Sequence, residues 1–145
     1  MASFIAFSLI GCEEKVVTKK YEGTKDKIKI EAMYTAKGDN ITKSVEKVSI
    51  KYADIGAQDQ EQKDAVKNEM NKDIEKINKF KGVKANLESN NDGITLTADI
   101  DYTKADIKEL NSNEITKIDG ADDTKSISLE KTDEQMKKDG FKEVK

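Results

Sequence analysis

Paired carboxylates, a serine with a lysine three residues on, and tyrosines at strand spacing are the side chains here whose types and placement bear on chemistry. Asp99 and Asp101 stand two apart in an alternating run, so on a strand they project from one face, about 7 Å from each other. Two acids so placed suit general acid/base hydrolysis or an oxygen-ligated cation such as calcium, which makes Asp99 and Asp101 the metal candidates and the candidates for a carboxylate hydrolase. Solvated surface acids are the plainer reading of the pair. The same holds for Asp119, Asp122 and Asp123, whose spacing departs from the EF-hand pattern. Ser128 and Lys131 have the spacing of a serine–lysine nucleophile pair, but a serine opening an apolar helical pattern serves as an N-cap. Histidine and arginine are absent and cysteine occurs once, so nucleophilic triads and zinc or copper sites lack their usual side chains. No catalytic residue or cofactor is assigned, and the expectation is a protein that is not an enzyme. Tyr34, Tyr52 and Tyr102 sit at alternating strand positions, where tyrosines pack at a core edge or line a binding surface, and they are the candidate surface for an envelope ligand or protein.

The single cysteine closes an uncharged opening. Met1 to Gly11 carries no charged side chain, and Cys12 is followed at once by Glu13-Glu14-Lys15. Such a stretch is about half of what a helix needs to cross a bilayer, but it fits the apolar core of an export signal. Leu9-Ile10-Gly11-Cys12 resembles the bacterial lipobox, in which a small residue precedes a cysteine that is acylated on sulfur and becomes the new amino terminus. On this reading residues 1–11 are a signal peptide and Cys12 is the lipid attachment point, carrying palmitate-type chains. Residues 12–26, acidic and lysine-rich, then form a hydrated tether, and 27–145 a single domain held on the outer side of a bacterial membrane. A competing reading makes Phe4 to Ile10 a buried strand with Cys12 as a small core residue. A further one treats Phe4 to Gly11 as the product, since it resembles hydrophobic signalling peptides released from some lipoprotein leaders.

Charge narrows the partners. Twenty-nine acids against 26 lysines leave a net charge of −3 over 145 residues, so no summed positive field gathers phosphates, and nucleic acid is not an expected partner. Hydrophobic residues make up 35% against 38% charged, enough for one modest core.

The elements that must position these side chains follow from periodicity. Ile28, Ile30, Ala32 and Tyr34 alternate with Lys27, Lys29, Glu31 and Thr35, a strand with one wet face. Lys37-Gly38-Asp39-Asn40 turns the chain, and Ile41 to Tyr52 returns it as a hairpin whose facing flips parity near Glu46 or Lys47, where a bulge is expected. Val66, Met70, Ile74, Ile77 and Phe80 form one stripe of a long helix over about 59–80, with Gly82 beyond its end. Val83, Ala85 and Leu87, the turn at Asn90-Asn91-Asp92-Gly93, and Ile94 through Tyr102 make a second hairpin. Thr103 and Asp106 open a short helix or turn through Leu110, and 111–125 reads as a surface loop. A C-terminal helix over about 128–139 is capped by Ser128 and closed by Gly140, with Phe141 folding back on the last turn. The fold class is α+β, an antiparallel sheet from two hairpins with both helices packed on one face.

These segments together resemble the YehR-like family of small bacterial lipoproteins. The resemblance runs through the lipobox at Leu9 to Cys12, Tyr34-Thr35-Ala36-Lys37-Gly38-Asp39-Asn40-Ile41-Thr42, Lys81-Gly82-Val83, Asp101-Tyr102, Ser128-Leu129 and Gly140-Phe141-Lys142. It implies localisation and fold class, and it assigns no catalytic residue.

Overall fold

The computed structural model describes residues 14–115 and 126–145. Among them six strands form one antiparallel sheet: β1 (Val16–Lys25), β2 (Ile28–Lys37), β3 (Asn40–Lys51), β4 (Val83–Ser89), β5 (Gly93–Asp101) and β6 (Lys142–Val144). Their spatial order is β4-β5-β3-β2-β1-β6, with three helices, α1 (Gln60–Ile77), α2 (Ile107–Ser112) and α3 (Leu129–Lys138). The α+β class is as the patterning predicts. In β5, Ile94, Leu96, Ala98 and Ile100 turn toward the helices, while Thr95, Thr97, Asp99 and Asp101 turn away, the alternation of a sheet covered on one side.

The long helix begins where local chemistry says it should but ends at Ile77, short of the expected Phe80, with Asn78 as its C-cap, so Gly82 turns the chain into β4 and does not close the helix. Asp59 accepts from the Gln62 N–H at 2.8 Å, and the Gln62 side chain reaches back to the Asp59 N–H, a complete capping box. The stripe packs as expected: Val66 and Met70 lie on the Tyr52, Ala57 and Ile94 cluster, and Ile77 and Phe80 on Val83, Ile100 and Leu110. Beyond Ile77, the Asn78 side chain bonds both backbone groups of Ala85, donating to its carbonyl at 2.8 Å and accepting from its N–H at 2.6 Å. That clamp ties α1 to β4 and occupies two polar groups on the edge of the sheet.

Three further expectations are corrected. The first concerns the tether: Val16–Lys25 is a full strand, paired along its length with β2 and also with β6. Tyr21 within it is 1% exposed. The lysine-rich sequence hides a strand because only Val17, Lys19, Tyr21 and Gly23 face inward, and the pairing is carried by backbone. Asp26 and Lys27, both at positive φ, turn it into β2, so the folded domain begins before residue 27. The second concerns the bulge: the register shift lies opposite Thr35 and Ala36, leaving Thr42 unmatched in β3, several residues before Glu46. Ser44, Glu46, Val48 and Ile50 consequently all face the helices. The third concerns the later segments. Asp106, not Thr103, caps α2 by accepting from Glu109 N–H at 3.0 Å, and Asn111 and Ser112 belong to that helix. Most of the expected surface loop, 116–125, and the leader 1–11 with Cys12 lie outside the described residues.

Candidate functional site

A trough crosses the middle of the sheet on its helix-covered face, where one row carries small side chains. In register, Ala85 pairs with Ala98, Ala98 with Glu46, Glu46 with Ala32, and Ala32 with Tyr21. Helix-facing rows in such sheets are ordinarily filled by branched or aromatic side chains; here Ala98 leaves space above it, while Ala32 and Ala85 are covered by their neighbours. α1 covers the β4 side of this row, and α3 reaches the β1 side through Asp133. Between them runs a groove of about 770 Å³, within the size range of small-molecule sites. Its floor is Val48, Leu96 and Ala98, its walls include Ile77 and Met136, and Tyr34, Glu46 and Tyr102 are the polar groups beside that floor, with further charged side chains in the rest of the lining.

Glu46 is the one acid among the helix-facing positions of β3, and it is partly buried. Burial away from water raises its pKa above the usual carboxylate range, against the opposing effect of the Tyr34 hydroxyl, which donates to its Oε1 at 3.1 Å. Burial likewise raises the Tyr34 pKa, with the Glu46 carboxylate adding to it. The Tyr102 hydroxyl lies 3.1 Å from Ser44 Oγ, itself buried, and burial pushes its pKa up to about 12. Both phenols are therefore neutral at ordinary pH and act as hydrogen-bonding groups lining an apolar groove.

The wall formed by α3 is held at both ends. At its start Asp39, in the β2–β3 turn, accepts from the Ser128 hydroxyl at 2.7 Å and the Glu130 N–H at 2.8 Å, bonds that hold its pKa below the ordinary value. Ser128 is the N-cap, as expected, accepting from Lys131 N–H at 3.2 Å. At its end the Phe141 N–H bonds the Met136 carbonyl and the Gly140 N–H bonds the Lys137 carbonyl, with Gly140 at φ +86°, a complete Schellman motif. The Phe141 ring lies against Gly23 of β1, where a Cβ would stand 2.7 Å from Cδ1. Along its length Asp133 accepts from the Tyr21 hydroxyl at 2.6 Å and pairs with Lys137 and Lys19 at 2.7 and 3.2 Å. Hydrogen bonds from Lys137, Tyr21 and Lys19 hold its pKa down at about 2.

The structure brings Tyr34 and Tyr102 together in the groove and leaves Tyr52 elsewhere, 3% exposed in the α1 cluster beneath Lys63, whose ammonium stands 5.2 Å from the ring centroid. Asp99 and Asp101 project from the opposite face of the sheet, in no cleft with the groove. Asp99 pairs with Lys43 at 3.1 Å, and Asp101 accepts from Thr103 and pairs with Lys104 at 3.3 Å. Among the described residues no three metal-ligating side chains gather. Glu46 is the residue that sequence reasoning missed; its parity with Val48, Ile50 and Tyr52 was the available signal.

An antiparallel sheet with two helices on one face and a groove between them defines a small α+β domain. The chain belongs to the family described as protein of unknown function (DUF1307), which it matches over residues 17–142. It is 32% identical over 145 residues to the uncharacterized lipoprotein YehR of Escherichia coli, covering all of this chain and 93% of that one. It is 28% identical to the uncharacterized lipoprotein Lin0239 of Listeria innocua, over 97% of this chain and 89% of that one. Its fold is similar to the NMR structure of E. coli YehR at a TM-score of 0.72 and 29% identity, covering 91% of this chain and 93% of that one. It also resembles the NMR structure of a Streptococcus pneumoniae protein, TM-score 0.63 and 16% identity, over 99% of this chain and 94% of that one, a likeness of fold. Among the described residues no helix is long and apolar enough to cross a membrane.

Proposed function

We propose that this protein is a lipid-anchored extracytoplasmic binding module that holds a small, partly apolar ligand in the groove between α1 and α3. The observation that carries the reading is the groove above Ala98 at the centre of the sheet, with the Glu46 carboxyl of the adjacent strand set in it. A chain that only needed stability would fill that space, since each buried aliphatic side chain adds about 1.5–3 kcal/mol.

The anchor is Cys12, acylated after removal of residues 1–11 and in contact with the membrane through its acyl chains. The names of the relatives as lipoproteins support this, as does the lipobox itself. Glu14 lines the groove and stands two residues after Cys12, so the groove's end lies within about 7 Å of chain from the anchor. The Lys15 carbonyl accepts from the Gly38 N–H at 3.1 Å, which fixes that end of the chain beside the β2–β3 turn. A groove so placed is positioned to sample molecules at the membrane surface.

The test fills the groove from its floor. Ala98→Leu replaces the methyl that lines it with an isobutyl group, and the probe is the neutral apolar dye Nile red. Wild type is expected to bind the dye with a rise in emission, and Ala98→Leu to lose at least tenfold in affinity while its melting temperature stays within a few degrees. Equal binding by a folded Ala98→Leu contradicts the assignment. For the anchor, an alkyne-bearing fatty acid fed to the cells should label the wild type and not Cys12→Ala; label that survives the substitution contradicts it.

A further inference from the structure

We propose that the ligand class of the groove is an organic cation, an ammonium group on an apolar body, seated with its charge at Glu46 and its apolar part along Val48 and Leu96. The inference rests on the groove being the ligand site and adds the chemistry of what it takes.

Glu46 is flanked in register by Ala98 on β5 and Ala32 on β2, so neither neighbour supplies a polar partner. Among the described residues its one side-chain hydrogen bond is accepted from Tyr34, and no lysine among them forms an ion pair with it. A carboxylate has room for about four hydrogen bonds, so most of its accepting capacity faces the groove. Holding such a group away from water without a cation is costly, and a ligand ammonium offsets that cost where a neutral or anionic ligand does not.

Two further features of the lining favour a cation. Tyr34 and Tyr102 place aromatic surface in the same groove as the carboxyl, and the negative faces of such rings attract ammonium groups. The charges that line the groove besides Glu46 are mixed: Glu14, Asp39 and Asp139 against Lys37 and Lys131. The lining therefore gives no positive field to an anionic head, and an acyl carboxylate would meet Glu46 as a like charge. The rest of the floor and the Ile77 and Met136 walls are apolar, and the thioether of Met136 adapts to chains of different shape.

The test titrates three probes of equal chain length, octylammonium, octanol and octanoate, into the full chain below their micelle concentrations, with affinity read by calorimetry. Octylammonium is expected to bind at least tenfold more tightly than octanol, with octanoate weakest. In the isosteric Glu46→Gln variant, with its fold checked by its melting curve, the ammonium advantage over octanol is expected to fall below twofold. Octylammonium and octanol binding alike overturns the cation assignment and leaves the groove as an apolar site. An ammonium preference that persists in folded Glu46→Gln overturns it too, by showing that the charge is read elsewhere. Failure of all three probes to bind overturns the groove reading together with this one.

Discussion

Removing the Tyr21 hydroxyl probes how α3 is fastened to the sheet. Tyr21 is 1% exposed and its hydroxyl donates to Asp133 at 2.6 Å, so Tyr21→Phe removes one charge-assisted hydrogen bond and leaves no cavity behind. Such bonds contribute about 1.5–3 kcal/mol, and Asp133 keeps Lys137 and Lys19, which places the expected loss near the lower end, about 1.5–2 kcal/mol at pH 7. For a domain of this size that corresponds to roughly 6–8 °C in melting temperature. Asp133 is held at about 2 in the folded chain against an ordinary 3.8, so its contribution is fully present above about pH 4 and is lost as pH falls toward 2. In Tyr21→Phe the folded value lies closer to ordinary, and the stability gap between the two proteins should narrow to under about 0.5 kcal/mol near pH 2. Urea denaturation at pH 7, 4, 3 and 2 reads the gap directly. A gap below about 0.5 kcal/mol at pH 7, or one that stays constant down to pH 2, would refute the reasoning.

Three other outcomes follow from the same geometry. Because burial raises the pKa of Glu46, its stability contribution is present below the ordinary carboxylate range and is lost as pH rises through its folded value. Glu46→Gln should therefore melt higher than wild type at pH 8 and close to it at pH 4; a difference independent of pH would contradict the burial argument. Asp39→Ala loses the bonds to Ser128 and Glu130 that seat the start of α3 and should cost about 2 kcal/mol, seen as an earlier urea midpoint; a cost under about 0.5 kcal/mol would mean α3 is placed by packing alone. Gly82→Ala should cost at least about 2 kcal/mol, because φ is +78° and the new Cβ would stand 2.7 Å from the Asp101 carbonyl oxygen and 2.8 Å from the Ala105 nitrogen; an unchanged melting temperature would show that this turn relaxes freely.

How far the fold could be read in advance depended on whether a segment's own side chains carried its pattern. α1 was legible because Val66, Met70, Ile74 and Ile77 fall on one stripe, although its last turn was placed too late. α3 was legible from Ser128 and Gly140. β1 was not, because beside Val17 its inward positions are filled by Lys19, which pairs with Asp133, by Tyr21, and by Gly23, which has no side chain and makes room for Phe141. β6 is three residues long and exists through its pairing with Lys20, Tyr21 and Glu22, which no local signal announces. The site was half legible. Tyr34 and Tyr102 were singled out, but Tyr52 was grouped with them on strand parity although the chain leaves the sheet there in a 3-10 turn and buries that ring under α1. Glu46 was passed over because the extra residue of the bulge is at Thr42, and placing the parity flip four residues late turns Glu46 into an outward residue.

The most direct measurement is a chemical-shift map of the isotope-labelled protein titrated with octylammonium. The account predicts shifts concentrated at Tyr34, Glu46, Val48, Leu96, Ala98 and Met136, with the Glu46 side-chain carboxyl carbon among the largest, and with Asp99 and Asp101 on the far face unmoved. Shifts centred on the far face, or none in the groove at saturating probe, would contradict it.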